Sequence, residues 1–207
     1  MVDSKKVIAV IQAIGDKIIE EKDFLTELDN PIGDSDHGIN MAKGFTEVKK
    51  KLPSLENNDI GTILKTVGMT LVSTVGGASG PLYGTAFMKA GMVLTGKEQI
   101  SFHDFLTAMD AAVEGVQMRG RSTVEEKTML DAMVPALNAM KAIYESSQDS
   151  KTAVEAGADA AQKGAEHTKE IIATKGRASY LGERSLGHQD PGAVSFTYMI
   201  QVISKNL

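Results

Sequence analysis

The chain of 207 residues has no cysteine and no tryptophan, and only 5% of it is aromatic. Without cysteine there can be no disulfide framework, no thiolate zinc site and no cysteine nucleophile, a profile that fits a cytoplasmic protein. An excess of basic residues is also missing. With 22 Lys and Arg against 27 Asp and Glu, the net charge of −5 offers no electrostatic footprint for nucleic acid. Charges interrupt the chain too often for the ~20 apolar residues of a membrane span, and the start MVDSKKVIAV lacks a signal-peptide layout. Long β-branched runs are absent, and only Thr70-Leu71-Val72-Ser73-Thr74-Val75 sets strand against helix. No internal repeat, low-complexity tract or long linker divides the chain, so residues 1–207 read as a single domain.

What the chain does have is helical periodicity. Val7, Ile11, Ile14 and Ile18 mark a first amphipathic helix over residues 4–23, and Met41, Phe45, Val48 and Leu52 mark a second that Pro53 stops. A third, capped at Asn58-Asp59, carries Ile60, Ile63, Val67 and Leu71; a fourth carries Leu82, Ala86, Ala90 and Val93 up to Gly96. Ser101 caps a fifth with Phe102, Phe105, Met109 and Val113. The sixth runs from about Thr128 with Pro135 inside it, an Ala-rich seventh covers about 150–172, and the last starts at Gly192. The class is therefore all-α with about eight helices, and the short connections favour antiparallel neighbours in a bundle or closed barrel. Eleven methionines beside few aromatics imply an adaptable core.

Three loops carry the chemistry. The first is Asp29-Asn-Pro-Ile-Gly-Asp34-Ser-Asp36-His37-Gly38-Ile39-Asn40, which packs three carboxylates and a histidine between two helices. Asp34 and Asp36, two apart, point the same way from an extended backbone, and Asp29 can fold back over the Pro31-Ile32-Gly33 turn to join them. Three hard oxygen ligands suit Mg²⁺ or Mn²⁺ rather than zinc. An EF-hand is excluded, because counting from Asp34 puts Gly38 fifth and Phe45 twelfth, where that loop needs an acceptor and a glutamate. The competing reading is a solvated acidic turn in which Asp36 caps the following helix.

Gly76-Gly77-Ala78-Ser79-Gly80-Pro81 is the second loop. Its glycines let successive backbone N–H groups converge on an anion, Ser79 adds a hydroxyl, and Pro81 suits the first turn of a helix. It is no Walker loop, since it lacks lysine, and a plain helix–turn–helix connector is the alternative. The third is the long connection 174–192, where Arg177 can offer a guanidinium to a phosphate and Asp190-Pro191-Gly192 turns into a helix N-terminus. Gly120 and Met129 bracket a charged loop, 121–128, able to close over a flat ring. Three carboxylates beside a phosphate loop would repel the ligand unless divalent metal lay between them. A nucleoside di- or triphosphate with one or two Mg²⁺ satisfies both.

These stretches, DNPIGDSDHGINM at 29–41, GGASGPLYG at 76–84, KTMLDAMVPA at 127–136 and KGRASYLGERSLGHQDPGA at 175–193, resemble in order the nucleotide-binding (L) subunits of bacterial dihydroxyacetone kinase. The resemblance implies an antiparallel eight-helix barrel with the nucleotide at one end. It implies that Asp29, Asp34 and Asp36 hold two Mg²⁺, and that His37, Gly38, Ile39, Asn40, Ala78, Ser79, Gly120, Met129, Arg177, Asp190, Pro191 and Gly192 contact ADP or ATP. His37 is then ligand-orienting, and no residue of this chain is catalytic in its own right. The implied activity is phosphoryl transfer to dihydroxyacetone held on a separate substrate-binding subunit, with a phosphocarrier protein of the phosphoenolpyruvate-dependent system recharging the ADP. An ATP-exchanging kinase for another small ketose or a fatty acyl group, and a nucleotide- or lipid-binding module without chemistry, are the alternatives. One departure stands out: the family usually has glycine where this chain has Ser35. If that position needs positive φ, serine is strained by about 1 kcal/mol or more.

Overall fold

The computed structural model describes all residues, 1–207, and is built from nine α-helices: α1 (Ser4–Glu20), α2 (Lys22–Asp29), α3 (His37–Lys51), α4 (Ile60–Thr74), α5 (Ser79–Val93), α6 (Phe102–Gly120), α7 (Leu130–Ser147), α8 (Ser150–His167) and α9 (Pro191–Asn206). The all-α expectation is met. The caps read from the sequence are in place: Asp59 accepts from the Thr62 N–H at 3.1 Å, and Ser101 forms a reciprocal capping box with Asp104. Thr70–Thr74 is helix, and only Val75 turns extended. α7 runs unbroken through Pro135.

Two details differ from the sequence reading. The expected first helix over 4–23 ends at Glu20, and α2 follows almost at once, so the chain reaches Asp29 as helix rather than as turn. Residues 22–29, KDFLTELD, offer only Phe24, Leu25 and Leu28 as apolar anchors, too few for periodicity to register, yet Leu25 is fully buried. A two-residue antiparallel pair, Val2–Asp3 with Gln99–Ile100, places Val2 opposite Ile100. Strands this short have no period to detect.

Helices α3 to α9 pack each on the next, and α1 lies against both α3 and α9. The α4–α5 contact is set by glycine. A Cβ on Gly61 would meet the Gly91 carbonyl oxygen at 2.6 Å, and one on Gly68 would meet that of Gly84 at 2.6 Å. The partner number falls as the first rises, so the two helices are antiparallel with their backbones in near contact. The core between the helices includes Ile18, Met41, Phe45, Leu71, Leu130 and Ile200, all completely buried. Truncating a side chain such as Phe45 in such a core costs about 3–5 kcal/mol.

Between α1, α4, α5, α6, α7 and α9 lies a half-open cavity of about 260 Å³, with 24 of its 27 lining residues hydrophobic. Met109, Met133 and Met199 sit in its wall, so part of the methionine excess lines open space instead of filling gaps. No helix is long and apolar enough to cross a membrane.

Candidate metal and phosphate site

The three aspartates do converge: one carboxylate oxygen from each of Asp29, Asp34 and Asp36 lies within 4.8 Å of the others. The route is not the extended one expected. Ser35 sits at φ 61°, in the left-handed region, and it is this twist that brings its two neighbours to one side. Position 35 therefore takes positive φ in this chain, and serine bears the cost, offset in part by a 3.0 Å bond from its Oγ to Asn30 Oδ1.

The roles within the cluster are divided. Asp36 occupies the N-cap position of α3 yet makes no capping bond. Asp29, at the end of α2, takes that part: its Oδ2 accepts from the backbone N–H groups of Asp36 at 3.0 Å and His37 at 3.2 Å. Asp29 is buried, Asp36 half-buried and Asp34 exposed, so the cluster grades from the helix interior to solvent. Burial holds the Asp36 carboxyl above its ordinary range; the Asn40 side chain opposes this by hydrogen bonding, while the charges of Asp34 and Asp29 reinforce it. A divalent cation would reverse the repulsion, and an all-carboxylate oxygen set matches Mg²⁺ in charge and hardness.

Around this cluster the first turns of α3, α5, α7 and α9 come together. His37 opens α3, and its ring contacts Ser79, the first residue of α5, and Ser195 in α9. A Cβ on Gly192 would stand 3.4 Å from Met129 Cβ, so α7 and α9 also meet at their starts. A Cβ on Gly76 would lie 2.9 Å from the Asn40 side-chain amide, which places the 76–80 loop directly on the acidic loop. Four helix N-termini, with their partial positive charge, thus face one region. Gly38 is required by the packing: a Cβ there would run into the Lys22 carbonyl oxygen at 1.9 Å. Gly120, at the end of α6, neighbours Leu82 in the first turn of α5. Ala78 and Ile39 are exposed at the rim.

The 174–192 connection is ordered. A 3₁₀ run from Arg177 to Ser185, broken at Gly182, is pinned by the buried Ser185, whose Oγ accepts from the Ala173 N–H at 2.9 Å. This carries Arg177 to the acidic loop, where it pairs with Asp34 at 2.9 Å. Asp190 caps α9 by accepting from the Ala193 N–H at 2.7 Å, and its burial pushes its carboxyl up to about 7. The His37 ring is turned into the protein rather than toward the rim; burial lowers its pKa to about 4, so it is neutral at physiological pH.

Four residues that sequence reasoning did not single out complete the surroundings. Lys127, almost wholly buried, donates from Nζ to the backbone carbonyls of Thr168 and His188. It ties the 121–128 loop to the end of α8 and to the approach to α9. Asp131 anchors the same loop by accepting from the Thr128 N–H at 2.6 Å. Tyr83 and Ser195 contact each other at 2.7 Å beneath His37. Lys127, Tyr83 and Ser195 act across long sequence separations, for which a single sequence carries no signal, whereas Asp131 bonds locally; Lys127, Asp131 and Tyr83 lie within the stretches 127–136 and 76–84, and Ser195 lies outside them.

Residues 31–205 match the DAK2 domain family. The chain is 44% identical to the ADP-binding subunit of the PEP-dependent dihydroxyacetone kinase of Escherichia coli, over 92% of this chain and 90% of that one. It is 46% identical to the ADP-binding subunit of PEP-dependent dihydroxyacetone kinase 1 of Listeria innocua, over 87% and 85% of the two chains. Among solved structures it is similar to the dihydroxyacetone kinase of C. freundii, in its native form (TM-score 0.76) and in complex with AMP-PNP and Mg²⁺ (TM-score 0.73), at 25% identity in both cases. The match covers 97% of this chain and 34% of that enzyme, so the chain spans about a third of its length.

Proposed function

The chain belongs to the DAK2 domain family, and from that premise we propose that it is the nucleotide-carrying subunit of a dihydroxyacetone kinase of the phosphoenolpyruvate-dependent type. The observation that carries this reading is the placement of the Asp29, Asp34 and Asp36 carboxylates against the converging N-termini of α3 and α5. Such a surface suits a diphosphate whose charge is balanced by divalent metal.

In this proposal the three aspartates hold two Mg²⁺, which would supply charge neutralisation between carboxylates and phosphates. The backbone of Gly38, Ile39 and Asn40 and the Ala78–Ser79 turn receive phosphate oxygens, while Gly120 and Met129 flank the base. Arg177 leaves Asp34 for a phosphate, and Asp190, Pro191 and Gly192 close the pocket wall. The helices, packed in the cyclic order described, form an antiparallel eight-membered barrel if α1 and α2 count as one kinked stave. Residues 1–207 form one domain with the site at one end.

His37 is not placed as a general base, because its ring is buried and both its nitrogens are engaged by Ser79 and Ser195. Deprotonation of the ketose hydroxyl therefore falls to a separate substrate-binding subunit, and this chain contributes positioning and electrostatics, the main terms in phosphoryl transfer. The ADP stays bound and is recharged in place by a phosphocarrier protein, in the cytoplasm. Residence is long because a diphosphate held by metals, helix termini and Arg177 differs from a weaker ligand mostly in off-rate.

One observation favours a second reading. The apolar cavity would suit a lipid-binding module, but it contains none of the acidic site residues. The deciding experiment isolates the protein and measures ADP content before and after Mg²⁺ chelation. Turnover is then measured with the substrate-binding subunit and a phosphoenolpyruvate-charged phosphocarrier. Stoichiometric ADP, released by chelation, with turnover only in the complete mixture, is expected. Turnover sustained by ATP alone would move the chain to the ATP-exchanging alternative.

A further inference from the structure

Beneath the phosphate turn, four side chains form a continuous line of hydrogen bonds. Tyr83 Oη lies 2.7 Å from Ser195 Oγ, Ser195 Oγ 2.9 Å from His37 Nε2, and His37 Nδ1 3.0 Å from Ser79 Oγ. Tyr83, Ser195 and His37 are buried, whereas Ser79 is half-exposed at the start of α5. The line therefore runs from the protein interior to the surface where a phosphate would rest. Its only branch is the Gly192 carbonyl oxygen, 3.1 Å from both the Tyr83 and Ser195 hydroxyls. That carbonyl sits in the first turn of α9, where the helix's own N–H four residues on can serve it.

A neutral imidazole donates from one nitrogen and accepts at the other, and the partners of one nitrogen set the tautomer. Two arrangements fit the line, and they differ in what Ser79 presents outward. With the proton on Nε2, the ring donates to Ser195, and Ser79 must spend its own proton inward on Nδ1, leaving only lone pairs toward the phosphate oxygens. With the proton on Nδ1, Ser79 accepts from the ring and keeps its proton to donate outward. The shortest contacts favour the second arrangement. A phenol is a better donor than an aliphatic hydroxyl, so Tyr83 donates across the 2.7 Å contact, and Ser195 then donates to Nε2.

We propose that Tyr83 and Ser195 are positioning residues, which hold His37 in its Nδ1–H tautomer so that the Ser79 hydroxyl is committed as a donor to the phosphate of the bound nucleotide. The inference rests on the nucleotide reading above for the identity of the acceptor, but not for the tautomer. It also gives a reason for burying a histidine beneath an exposed phosphate turn: the ring passes the polarity of a buried phenol to a surface hydroxyl. Loss of one hydrogen bond to a charged acceptor corresponds to roughly a tenfold to hundredfold drop in affinity.

The test has two arms on the full-length protein. Long-range ¹H–¹⁵N correlation on histidine-labelled, metal-free and nucleotide-free protein reads the tautomer directly. The wild type should show its proton on Nδ1, and Ser195→Ala should move it toward Nε2, with Tyr83→Phe, the gentler isosteric change, shifting it in the same direction. The second arm is a double-mutant cycle on MgADP affinity. Ser195→Ala and Ser79→Ala should each weaken binding about tenfold or more, and the double variant should bind no more weakly than Ser79→Ala alone. A proton on Nε2 in the wild type, or losses that multiply, would overturn the relay while leaving the nucleotide reading intact. Failure of the wild type to bind MgADP would overturn that reading instead, and the tautomer would still decide the relay.

Discussion

Arg177 Nη2 lies 2.9 Å from Asp34 Oδ2, so the arginine expected at a phosphate is paired with the aspartate expected at a metal. Both side chains reach solvent, at 69% and 34% exposure, and an exposed pair of this kind is worth little and breaks readily. The guanidinium thus neutralises a carboxylate that the proposed metal would otherwise neutralise.

Arg177→Ala should accordingly separate the two ligands. Mn²⁺ affinity without nucleotide, followed by electron paramagnetic resonance, should stay the same or tighten by at most about fivefold. MgADP should bind about tenfold more weakly. A fall in nucleotide-free Mn²⁺ affinity would mean that Arg177 shapes the metal loop instead of competing for it.

The division of labour among the aspartates predicts different failures. Asp34→Ala and Asp36→Ala should abolish nucleotide retention with helicity and melting temperature almost unchanged, since neither carboxylate caps a helix. Asp29→Ala should lose nucleotide and also about 1–2 kcal/mol of stability, because its Oδ2 receives the first N–H groups of α3. Circular dichroism and denaturant melts beside bound-nucleotide assays check this; equal destabilisation by all three would refute it.

Ser35, at φ 61°, gives a test of the loop conformation. Ser35→Gly should preserve MgADP binding and change stability by less than about 1 kcal/mol, because relief of left-handed strain is offset by the greater freedom of the unfolded chain. Ser35→Val puts a β-branched residue where it is strongly disfavoured and should weaken MgADP about tenfold. Wild-type affinity in the valine variant would show that the twist is dispensable.

The pH dependence follows from two buried groups with opposite signs. Burial raises Asp190 to about 7, well above an unfolded aspartate near 3.9, so the native state binds the extra proton between those values. Stability from this group is complete below about pH 4 and is lost as pH rises through 7. His37, lowered to about 4 by burial, acts in reverse: its contribution is complete above about 6.5 and is lost as pH falls toward 4. In the metal-free protein, Asp190→Asn should therefore gain stability relative to wild type progressively from pH 4 to 7, levelling off above. A constant difference across that range would show that Asp190 does not titrate there.

The sequence's legibility differs from element to element. The third and fifth helices were plain in Ile60-to-Leu71 and Phe102-to-Val116, because each pairs a recognisable cap with a sustained apolar stripe. α2 escaped because eight residues with three apolar anchors give periodicity little to act on, and Leu25 owes its burial to neighbours distant in the chain. The acidic loop stood out by density alone. Its geometry did not: Asp36 looked like the cap of α3, and it is Asp29, in a helix the sequence hid, that does the capping.

By itself, the sequence determined an all-α protein with a cluster of hard-oxygen carboxylates, a glycine-rich turn and a long arginine-bearing connection, because caps, periodicity and residue chemistry are local properties. Only the tertiary structure decided that the first turns of α3, α5, α7 and α9 meet, that Arg177 rests on Asp34, and that Tyr83, Ser195, His37 and Ser79 stand in line. Those relations join residues up to 158 positions apart. They exist because helix packing closes the chain on itself, and nothing in a local stretch of residues encodes that closure.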